Sequence, residues 1–144
     1  MKYFETPLAI TMGDPSGIGP EIILKSVVKT KLNNFIVFGD SLVFDSLIKS
    51  HEMPLTINKI SEPSEAIFKD NYFNLFETSK LNHLPHYGKI SKEYGKVSFD
   101  AIIKSIEFAK EGKVSGIVTA PISKKALNLA HLNFPGHTEI LAGY

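Results

Sequence analysis

A histidine and a hydroxyl side chain follow a Pro-Gly pair in the stretch Pro135-Gly136-His137-Thr138. The imidazole of His137 can hydrogen bond a ligand and can move a proton near neutral pH, and Thr138 can help to orient that ligand. Because proline restricts φ and glycine permits positive φ, we expect a bend determined by the backbone, with Thr138 as the N-cap of a short helix. The pattern indicates an active-site loop when it occurs together with other motifs, and an ordinary surface turn when it does not.

A glycine-rich turn lies within Ile10–Glu21, between an apolar run and a helical pattern. Backbone N–H groups at such a strand-to-helix turn can bind a phosphate or a carboxylate, which makes Gly13 and Asp14 candidate cofactor-binding residues. The dinucleotide-binding fingerprint does not match, because a match that begins at Gly17 would need glycine where Ile22 stands. A structural turn that lets helix and sheet approach closely is the alternative interpretation.

Two pairs of polar residues have spacings that could serve chemistry. His83 and His86 are close enough to chelate a metal ion, but Pro85 between them breaks a helix and no cysteine or nearby aspartate completes a ligand set. We interpret them as solvated loop histidines and predict no metal ligands in this chain. Lys124 and Lys125 begin a predicted helix, where positive charge opposes the helix dipole, so they indicate either an anion site or two solvated lysines.

The elements that must position these residues alternate between strands and helices. Continuous apolar runs at 8–12, 35–39 and 114–120 predict buried strands, and weaker patterns predict strands at 55–60 and 72–76. Such runs, separated by helices, indicate an α/β fold with a mainly parallel sheet and helices on both faces. In such sheets ligands bind outside the carboxyl ends of the strands, so the Gly13–Gly19, Thr119–Ser123 and His137 turns are expected to gather there.

Hydroxyl and carboxylate side chains mark where the helices are expected to begin. Asp40 or Ser41 can cap the second helix, Ser91 a long third helix, and Ser123 the helix that follows the last predicted strand. The residues of the first helix expected to face inward are Ile22, Ile23, Val27 and Val28. The segment from Glu77 to Ile90 is expected to be a loop.

Composition excludes several classes of protein. The 144 residues are 43% hydrophobic and 22% charged, which is typical of a soluble globular chain and not of a disordered or membrane-spanning one. With 16 basic and 15 acidic residues, the net charge of +1 favours neither nucleic acid nor an anionic membrane as a partner. The sequence has no cysteine and no signal-peptide pattern, so we exclude disulfides and thiol catalysis and expect a cytoplasmic protein.

Three spaced motifs resemble those of the 4-hydroxythreonine-4-phosphate dehydrogenase family of vitamin B6 synthesis. They occur in the same order as in that family and comprise Ile10–Glu21, Gly116–Lys124 and Phe134–Glu139. The first motif also resembles a turn of the isocitrate and isopropylmalate dehydrogenases, which share that fold. The likeness is weakest between His51 and Pro85, where the sequence shows no motif.

The resemblance implies an isocitrate/isopropylmalate dehydrogenase-like fold and an NAD-dependent oxidation of 4-phosphooxy-L-threonine. The keto acid product would lose carbon dioxide to give 3-amino-2-oxopropyl phosphate. The family's motif implies that His137 and Thr138 contact the small phosphorylated substrate, and His137 is also the catalytic candidate. The resemblance further implies a homodimer, and a divalent metal (zinc, magnesium or cobalt) bound by histidines beyond this chain.

On this resemblance, residues 1–144 are expected to be the N-terminal part of a longer two-domain dehydrogenase, inactive by themselves and without an internal domain boundary. Two alternatives remain open. One is a dehydrogenase of a related 4-phosphorylated hydroxy acid, such as an erythronate or a threonate. The other is a non-catalytic binding or dimerisation module that keeps only the turns of the family.

Overall fold

A sheet of five strands forms the centre of the computed structural model, which describes residues 6–144. The strands are β1 (Leu8–Thr11), β2 (Phe35–Gly39), β3 (Thr56–Ile60), β4 (Tyr72–Glu77) and β5 (Gly116–Thr119). Their order across the sheet is β3-β4-β2-β1-β5, and every neighbouring pair is parallel. The predicted α/β class with a parallel sheet is confirmed.

Within residues 6–144, five α-helices connect and cover these strands. They are α1 (Gly19–Thr30), α2 (Ser41–Ser50), α3 (Lys92–Lys110), α4 (Lys124–Leu129) and α5 (His137–Gly143). A short 3-10 helix, Pro63–Glu65, lies between β3 and β4. None of the helices in the described part of the chain is long and apolar enough to cross a membrane.

The central strand β2 is apolar along its whole length because both of its faces are buried. Phe35 and Val37 belong to the hydrophobic cluster that includes residues of α1 and α2, whereas Ile36 and Phe38 belong to the cluster that includes Ala101 and Phe108 of α3. Alternate residues of a strand point to opposite faces, so α1 and α2 cover one face and α3 covers the other. This packing explains the continuous apolar run in the sequence.

Side-chain caps begin three of the helices where the sequence indicates. Asp40, Ser91 and Ser123 each accept a hydrogen bond from a backbone N–H two or three residues further on, at 3.0, 3.2 and 3.1 Å respectively. Each cap satisfies one of the N–H groups that the first turn of a helix leaves without an intrahelical partner. The predicted starts of α2, α3 and α4 are therefore confirmed.

The first helix, α1, faces the core differently from the prediction. Ile23 and Val27 are buried, but Ile22 is 46% exposed and Val28 is 37% exposed, so their predicted inward orientation is wrong. Ile22 borders a groove beside the edge strand β5, together with Val118. The apolar pattern of α1 thus extends beyond the stripe that the sheet covers.

Asp40 also holds the loop that follows β4. Its carboxylate is 1% exposed and caps α2 through Oδ1. Its Oδ2 accepts hydrogen bonds from the Ser79 hydroxyl at 2.8 Å and from the Leu81 N–H at 2.7 Å. The predicted loop between β4 and α3 is confirmed, and Asp40 fixes where it leaves the sheet.

Candidate functional site

The order of the strands reverses at β1. The chain passes from β1 to β2 on one side, whereas β5 pairs with the other side of β1 and places Thr119 opposite Thr11. In open parallel sheets, ligands bind outside the carboxyl ends of the two strands that flank such a reversal. The turns that follow β1 and β5 are therefore the candidate site.

These two turns are bonded to each other. The Ala120 N–H donates to the Thr11 carbonyl at 3.2 Å, and the Asp14 N–H donates to the Pro121 carbonyl at 2.9 Å. Gly13 has a φ of 76°, and a Cβ placed on it would lie 2.4 Å from the Pro121 oxygen. Only glycine combines this positive φ with so close an approach, so Gly13 has a structural role in the turn.

The loop before α3 closes over the first turn. Asp14 Oδ1 accepts the Ser16 N–H at 2.8 Å and lies 2.9 Å from the Ser16 hydroxyl oxygen. That hydroxyl oxygen is also 2.7 Å from the Lys89 carbonyl oxygen, and the Gly88 N–H donates to the Ser16 carbonyl at 2.9 Å. Residues of the predicted loop between β4 and α3 therefore form one wall of the turn.

His137 is the first residue of helix α5. Gly136 is the N-cap, and its φ of 178° is extended backbone, so the expected positive φ is not used. Thr138 is the second helical residue, and the prediction that Thr138 caps the helix is wrong. The Gly136 carbonyl already accepts a hydrogen bond from the Ile140 N–H at 3.4 Å, which starts the helix before Thr138 could cap it.

Packing anchors α5 beside α3 and α4. Ile140 is fully buried and belongs to a cluster with Ile102 of α3 and Leu127 of α4. Just before α5, the ring of Phe134 stacks on the ring of Phe99 with 5.7 Å between centroids. These contacts fix the helix that carries the histidine.

The His137 ring is partly buried against the turn that follows β5. The backbone of Ala120 lies beside the ring, and Nε2 is buried and has no hydrogen-bond partner among residues 6–144. Burial lowers the pKa of His137 below its ordinary value of 6.5, and the Ala120 carbonyl raises the pKa by a smaller amount. The neutral form of the ring is therefore favoured at pH 7, and a neutral imidazole has one nitrogen that can accept a proton.

The predicted gathering of three turns at this edge of the sheet is confirmed. The turn at Gly13 is bonded to the turn at Pro121, and the ring of His137 contacts Ala120 in the second turn. Gly13 and Asp14 have structural partners here, and their binding of a cofactor stays a prediction. Thr138 is exposed on α5, and its contact with a substrate likewise stays a prediction.

The two lysines at the start of α4 lie close to this edge. Lys124 and Lys125 are both exposed, as the solvated interpretation expects. A Cβ built on Gly136 would lie 3.9 Å from Lys124 Cε, so the stem of Lys124 passes the turn that precedes His137. An anion bound near His137 would be within the reach of a long lysine side chain.

The histidine pair before α3 does not form a metal site with its neighbours. The rings of His83 and His86 are 6.2 Å apart, and His83 Nε2 lies 3.2 Å from Glu93 Oε2. Across residues 6–144, no group of three or more His, Cys, Asp or Glu side chains could hold a metal ion. Residues 6–144 therefore contain no ligand set that fits a divalent metal, and the binding of the metal by histidines beyond this chain stays a prediction.

Two features near the site have no signal in the sequence. His51 Nε2 lies 2.7 Å from Glu21 Oε1, which links the end of α2 to the start of α1 beside a cleft of about 570 Å³. Ile18 and Tyr87 also line this cleft. The second feature is the Ala120 carbonyl, which any residue type could supply, so no sequence motif could reveal its contact with the histidine.

Comparison with known proteins identifies the relatives of the chain. The family described as "Pyridoxal phosphate biosynthetic protein PdxA" matches residues 31–144. A 4-hydroxythreonine-4-phosphate dehydrogenase from Beijerinckia indica subsp. indica is 45% identical over 143 residues, which cover 99% of this chain and 42% of that protein. A Fusobacterium nucleatum protein named "Putative D-threonate 4-phosphate dehydrogenase" is 36% identical over 140 residues, which cover 94% of this chain and 42% of that protein.

A solved structure shows the same arrangement of strands and helices. The crystal structure of 4-hydroxythreonine-4-phosphate dehydrogenase from Klebsiella pneumoniae matches with a TM-score of 0.88 at 35% identity, and the match covers 96% of this chain and 44% of that one. The chain thus spans about two fifths of the length of the curated relatives that it matches. Because the family match covers most of its residues, the chain belongs to the PdxA family of pyridoxal phosphate biosynthetic proteins.

Proposed function

We propose that this chain supplies part of the active site of an NAD-dependent dehydrogenase that oxidises 4-phosphooxy-L-threonine in vitamin B6 (pyridoxal 5'-phosphate) biosynthesis. The observation that carries the proposal is His137, a neutral, partly buried imidazole whose Nε2 has no partner within the described residues. It lies at the carboxyl end of β5, beside the reversal of strand order where ligands bind in such sheets. The 45% identity to a 4-hydroxythreonine-4-phosphate dehydrogenase supports the choice of substrate.

The reaction has two stages. The substrate would lose a hydride from the carbon that bears the 3-hydroxyl group and the hydroxyl proton to a base; NAD would supply the hydride acceptor. The resulting β-keto acid then loses carbon dioxide, because the keto group accepts the electron pair of the broken carbon–carbon bond. Protonation of the carbon that bears the amine, from which the carbon dioxide has left, gives 3-amino-2-oxopropyl phosphate.

His137 is the residue of this chain to which we assign the proton. Its imidazole would accept a hydrogen bond from the substrate hydroxyl and then the proton itself, as a general base does. Burial favours the neutral form that this role requires at pH 7. Thr138, the next residue of α5, would help to orient the substrate.

The remaining groups of the reaction are proposed to come from the part of the relatives that this chain does not span. That part would hold the divalent metal and the ligands of the substrate phosphate, and none of the steps assigned to His137 uses the metal. Much of the NAD site would also lie there. Gly13 and Asp14 are candidate contacts for NAD from this chain, although Asp14 Oδ1 already accepts a hydrogen bond from Ser16.

The proposal includes the assembly of the enzyme. Residues 1–144 would be the N-terminal part of a longer two-domain polypeptide and would be inactive alone. The complete enzyme would act as a homodimer in the cytoplasm. The length of the relatives supports this proposal, because the matched region covers only 42% of the Beijerinckia indica protein.

A second candidate function is the oxidation of D-threonate 4-phosphate. The 36% identity to the Fusobacterium nucleatum protein favours it. The two substrates differ in one group, since threonate carries a hydroxyl where 4-phosphooxy-L-threonine carries an amine.

A chimeric enzyme tests both functions. Residues 1–144 would replace the matching segment of the Beijerinckia indica enzyme, and NADH formation would be followed with each of the two phosphorylated substrates. We expect NADH with 4-phosphooxy-L-threonine and a higher kcat/KM for it than for D-threonate 4-phosphate. The unmodified Beijerinckia indica enzyme is the positive control, and residues 1–144 alone are the negative control.

The outcomes separate the proposals. A higher kcat/KM for D-threonate 4-phosphate would replace the first function with the second. A folded chimera that forms no NADH with either substrate would contradict both and would favour a non-catalytic binding or dimerisation module.

A further inference from the structure

The strand β5 forms an edge of the sheet and is paired on one side only. Within residues 6–144 its partner is β1. The Ala120 N–H, directly after β5, donates to the Thr11 carbonyl of β1 at 3.2 Å. Because successive residues of a strand direct their backbone groups to opposite sides, the N–H and carbonyl groups of Ile117 and Thr119 point away from β1. β5 therefore presents backbone donors and acceptors to a further strand.

The side chains beside this edge are apolar. Val118 is 49% exposed, and together with Ile22 of α1 it borders a groove of about 260 Å³. Ile10 and Val27 also line this groove, which we call the β5 groove. An apolar side chain placed in the β5 groove would remove this surface from water, which is favourable.

The opposite edge of the sheet, β3, has features that protect an edge strand. Lys59 places a charge on β3 and pairs with Glu77 at 3.7 Å. The Asn58 side chain donates to the Glu65 carbonyl at 3.1 Å, which ties β3 to the short 3-10 helix. β5 has the sequence Gly-Ile-Val-Thr, with no charged residue and no proline. An apolar edge without such protection is suited to pairing with an added strand.

The size of this surface favours a segment of the same polypeptide over a separate protein. A stable interface between two proteins buries about 800 Å² on each partner, whereas β5 has only four residues. A covalently linked segment needs less contact surface, because the linkage gives it a high effective concentration. The relatives are long enough to contain such a segment, since the match covers 42% of the Beijerinckia indica protein.

We propose that a strand from the part of the polypeptide that follows Tyr144 pairs with β5 and places an apolar side chain in the β5 groove, between Val118 and Ile22. The proposal rests on the proposed function for the existence of that longer polypeptide. The β5 groove reaches Pro121, in the turn that follows β5. The added strand would therefore lie next to the candidate site and extend it.

Amide hydrogen exchange at single residues tests the pairing. The chimeric enzyme contains the remaining segment, and residues 1–144 alone do not. We expect the amides of Ile117 and Thr119 to exchange at least about 100-fold more slowly in the chimera than in residues 1–144. The Val118 N–H points to β1 and should be protected in both, so it is the internal control. Rapid exchange at Ile117 and Thr119 in the folded chimera would overturn the proposal.

A second copy of the chain is the competing occupant. Protection of Ile117 and Thr119 in residues 1–144 alone, together with the mass of a dimer in solution, would assign the edge to that copy and would overturn the proposal.

Val118→Lys tests the β5 groove in the chimera. A lysine at this position would place a charge beneath the added strand, and we expect the Tm of the chimera to fall by about 5 °C or more. Thr56→Lys is the matched control, because Thr56 is an exposed residue of β3, the edge that already carries Lys59. Its Tm should stay within about 1 °C of that of the unchanged chimera. Equal shifts in the two variants would contradict the proposal.

Co-expression of the two parts keeps the test decisive if the chimera does not fold. Residues 1–144 and the remaining segment of the Beijerinckia indica enzyme would then be produced as separate polypeptides. A complex in which Ile117 and Thr119 are protected would support the proposal. Separate parts, or a complex in which both amides exchange rapidly, would overturn it.

The exchange result is independent of turnover. Protected amides in a folded chimera that forms no NADH would leave this proposal in place and would contradict the proposed function. An active chimera in which Ile117 and Thr119 exchange rapidly would do the reverse.

Discussion

The Asp14 N–H and the Pro121 carbonyl form a 2.9 Å hydrogen bond that joins the turn after β1 to the turn after β5. The bond continues the parallel pairing of the two strands beyond their last residues. The ring of His137 lies beside Ala120, the residue before Pro121, so the candidate catalytic group is next to the contact between the two turns. The predictions below test the parts of this arrangement.

Removing the His137 ring should abolish most of the activity of the chimeric enzyme. We expect His137→Ala to lower kcat at least about 100-fold, which is a typical contribution of a general base. The loss of stability should be about 1 kcal/mol, because the ring is only partly buried and its Nε2 makes no hydrogen bond within residues 6–144. NADH formation and urea unfolding measure the two effects.

His83→Gln is the control for that experiment. His83 is an exposed histidine whose only ion pair within the described residues is with Glu93 at 3.2 Å, so kcat should stay close to that of the unchanged chimera. Unchanged turnover in the His137→Ala variant would contradict the role of His137 as the base.

The stability of the chain should depend on pH through His137. Burial lowers the pKa of His137 below 6.5 in the folded chain, so the unfolded chain binds this proton more readily. The contribution of the neutral ring is therefore complete above pH 6.5 and is lost as the pH falls through the lower, folded-state pKa. Unfolding free energies should be measured by urea denaturation between about pH 7.5 and about pH 5, the range in which histidines titrate.

His137→Gln separates this effect from every other titrating group. Glutamine cannot be protonated in this range, so the free energy of unfolding of His137→Gln should increase relative to that of the unchanged chain as the pH falls. If the difference in the free energy of unfolding between the two proteins stays constant with pH, protonation of the His137 ring does not destabilise the fold.

Asp40→Ala should cost far more stability than the removal of a surface carboxylate. The Asp40 carboxylate is 1% exposed and accepts hydrogen bonds from Leu42, Ser79 and Leu81. Its removal leaves these donors without their acceptor, and we expect a loss of about 3 kcal/mol in the free energy of unfolding.

Asp45→Ala on the same helix is the matched control. The Asp45 carboxylate is half exposed and pairs with Lys49 at 2.9 Å, so its removal should cost less than about 0.5 kcal/mol. Equal losses in the two variants, measured by urea denaturation, would show that the hydrogen bonds of Asp40 do not stabilise the fold.

Gly95→Ala should destabilise the contact between α3 and α4. Alanine is the better helix former by about 1 kcal/mol, which alone would stabilise α3. A Cβ on Gly95, however, would meet the carbonyl oxygen of Ala126 closely, at 2.1 Å, and that atom is backbone. We expect the steric conflict to prevail, with a net loss of about 2 kcal/mol in urea denaturation.

Gly116→Ala provides the comparison. Its added Cβ would meet only Leu8 Cδ2, at an ordinary contact distance of 3.5 Å, so the free energy of unfolding should change by less than about 1 kcal/mol. A Gly95→Ala variant that is as stable as the unchanged chain would show that α4 can move away without cost.

The sequence by itself determined the class of fold and where several helices begin. The continuous apolar run Phe35–Gly39 indicates a strand buried on both faces, and the structure places it at the centre of a parallel sheet. Asp40, Ser91 and Ser123 mark helix starts because a cap acts on N–H groups only a few residues away. Information of this kind is local, so it can be read without knowing the rest of the fold.

The sequence also pointed to His137, but only the tertiary structure decided its surroundings. Thr138 fits the pattern of a helix cap, yet the helix that buries Ile140 has its N-cap two residues earlier, at Gly136. In α1, the apolar pattern could not show that Ile22 and Val28 stay exposed, because the extent of the covering sheet depends on the strand order.

The tertiary structure alone decided which backbone groups meet at the candidate site. The Asp14 N–H and the carbonyls of Pro121 and Ala120 are main-chain groups. Almost every residue type has such groups, so the sequence does not mark the ones that meet. Their contacts follow from the pairing of β1 with β5, whose residues are far apart in the sequence. Residue identity therefore predicts the imidazole, whereas the partly buried position that lowers its pKa arises only when distant parts of the chain are brought together.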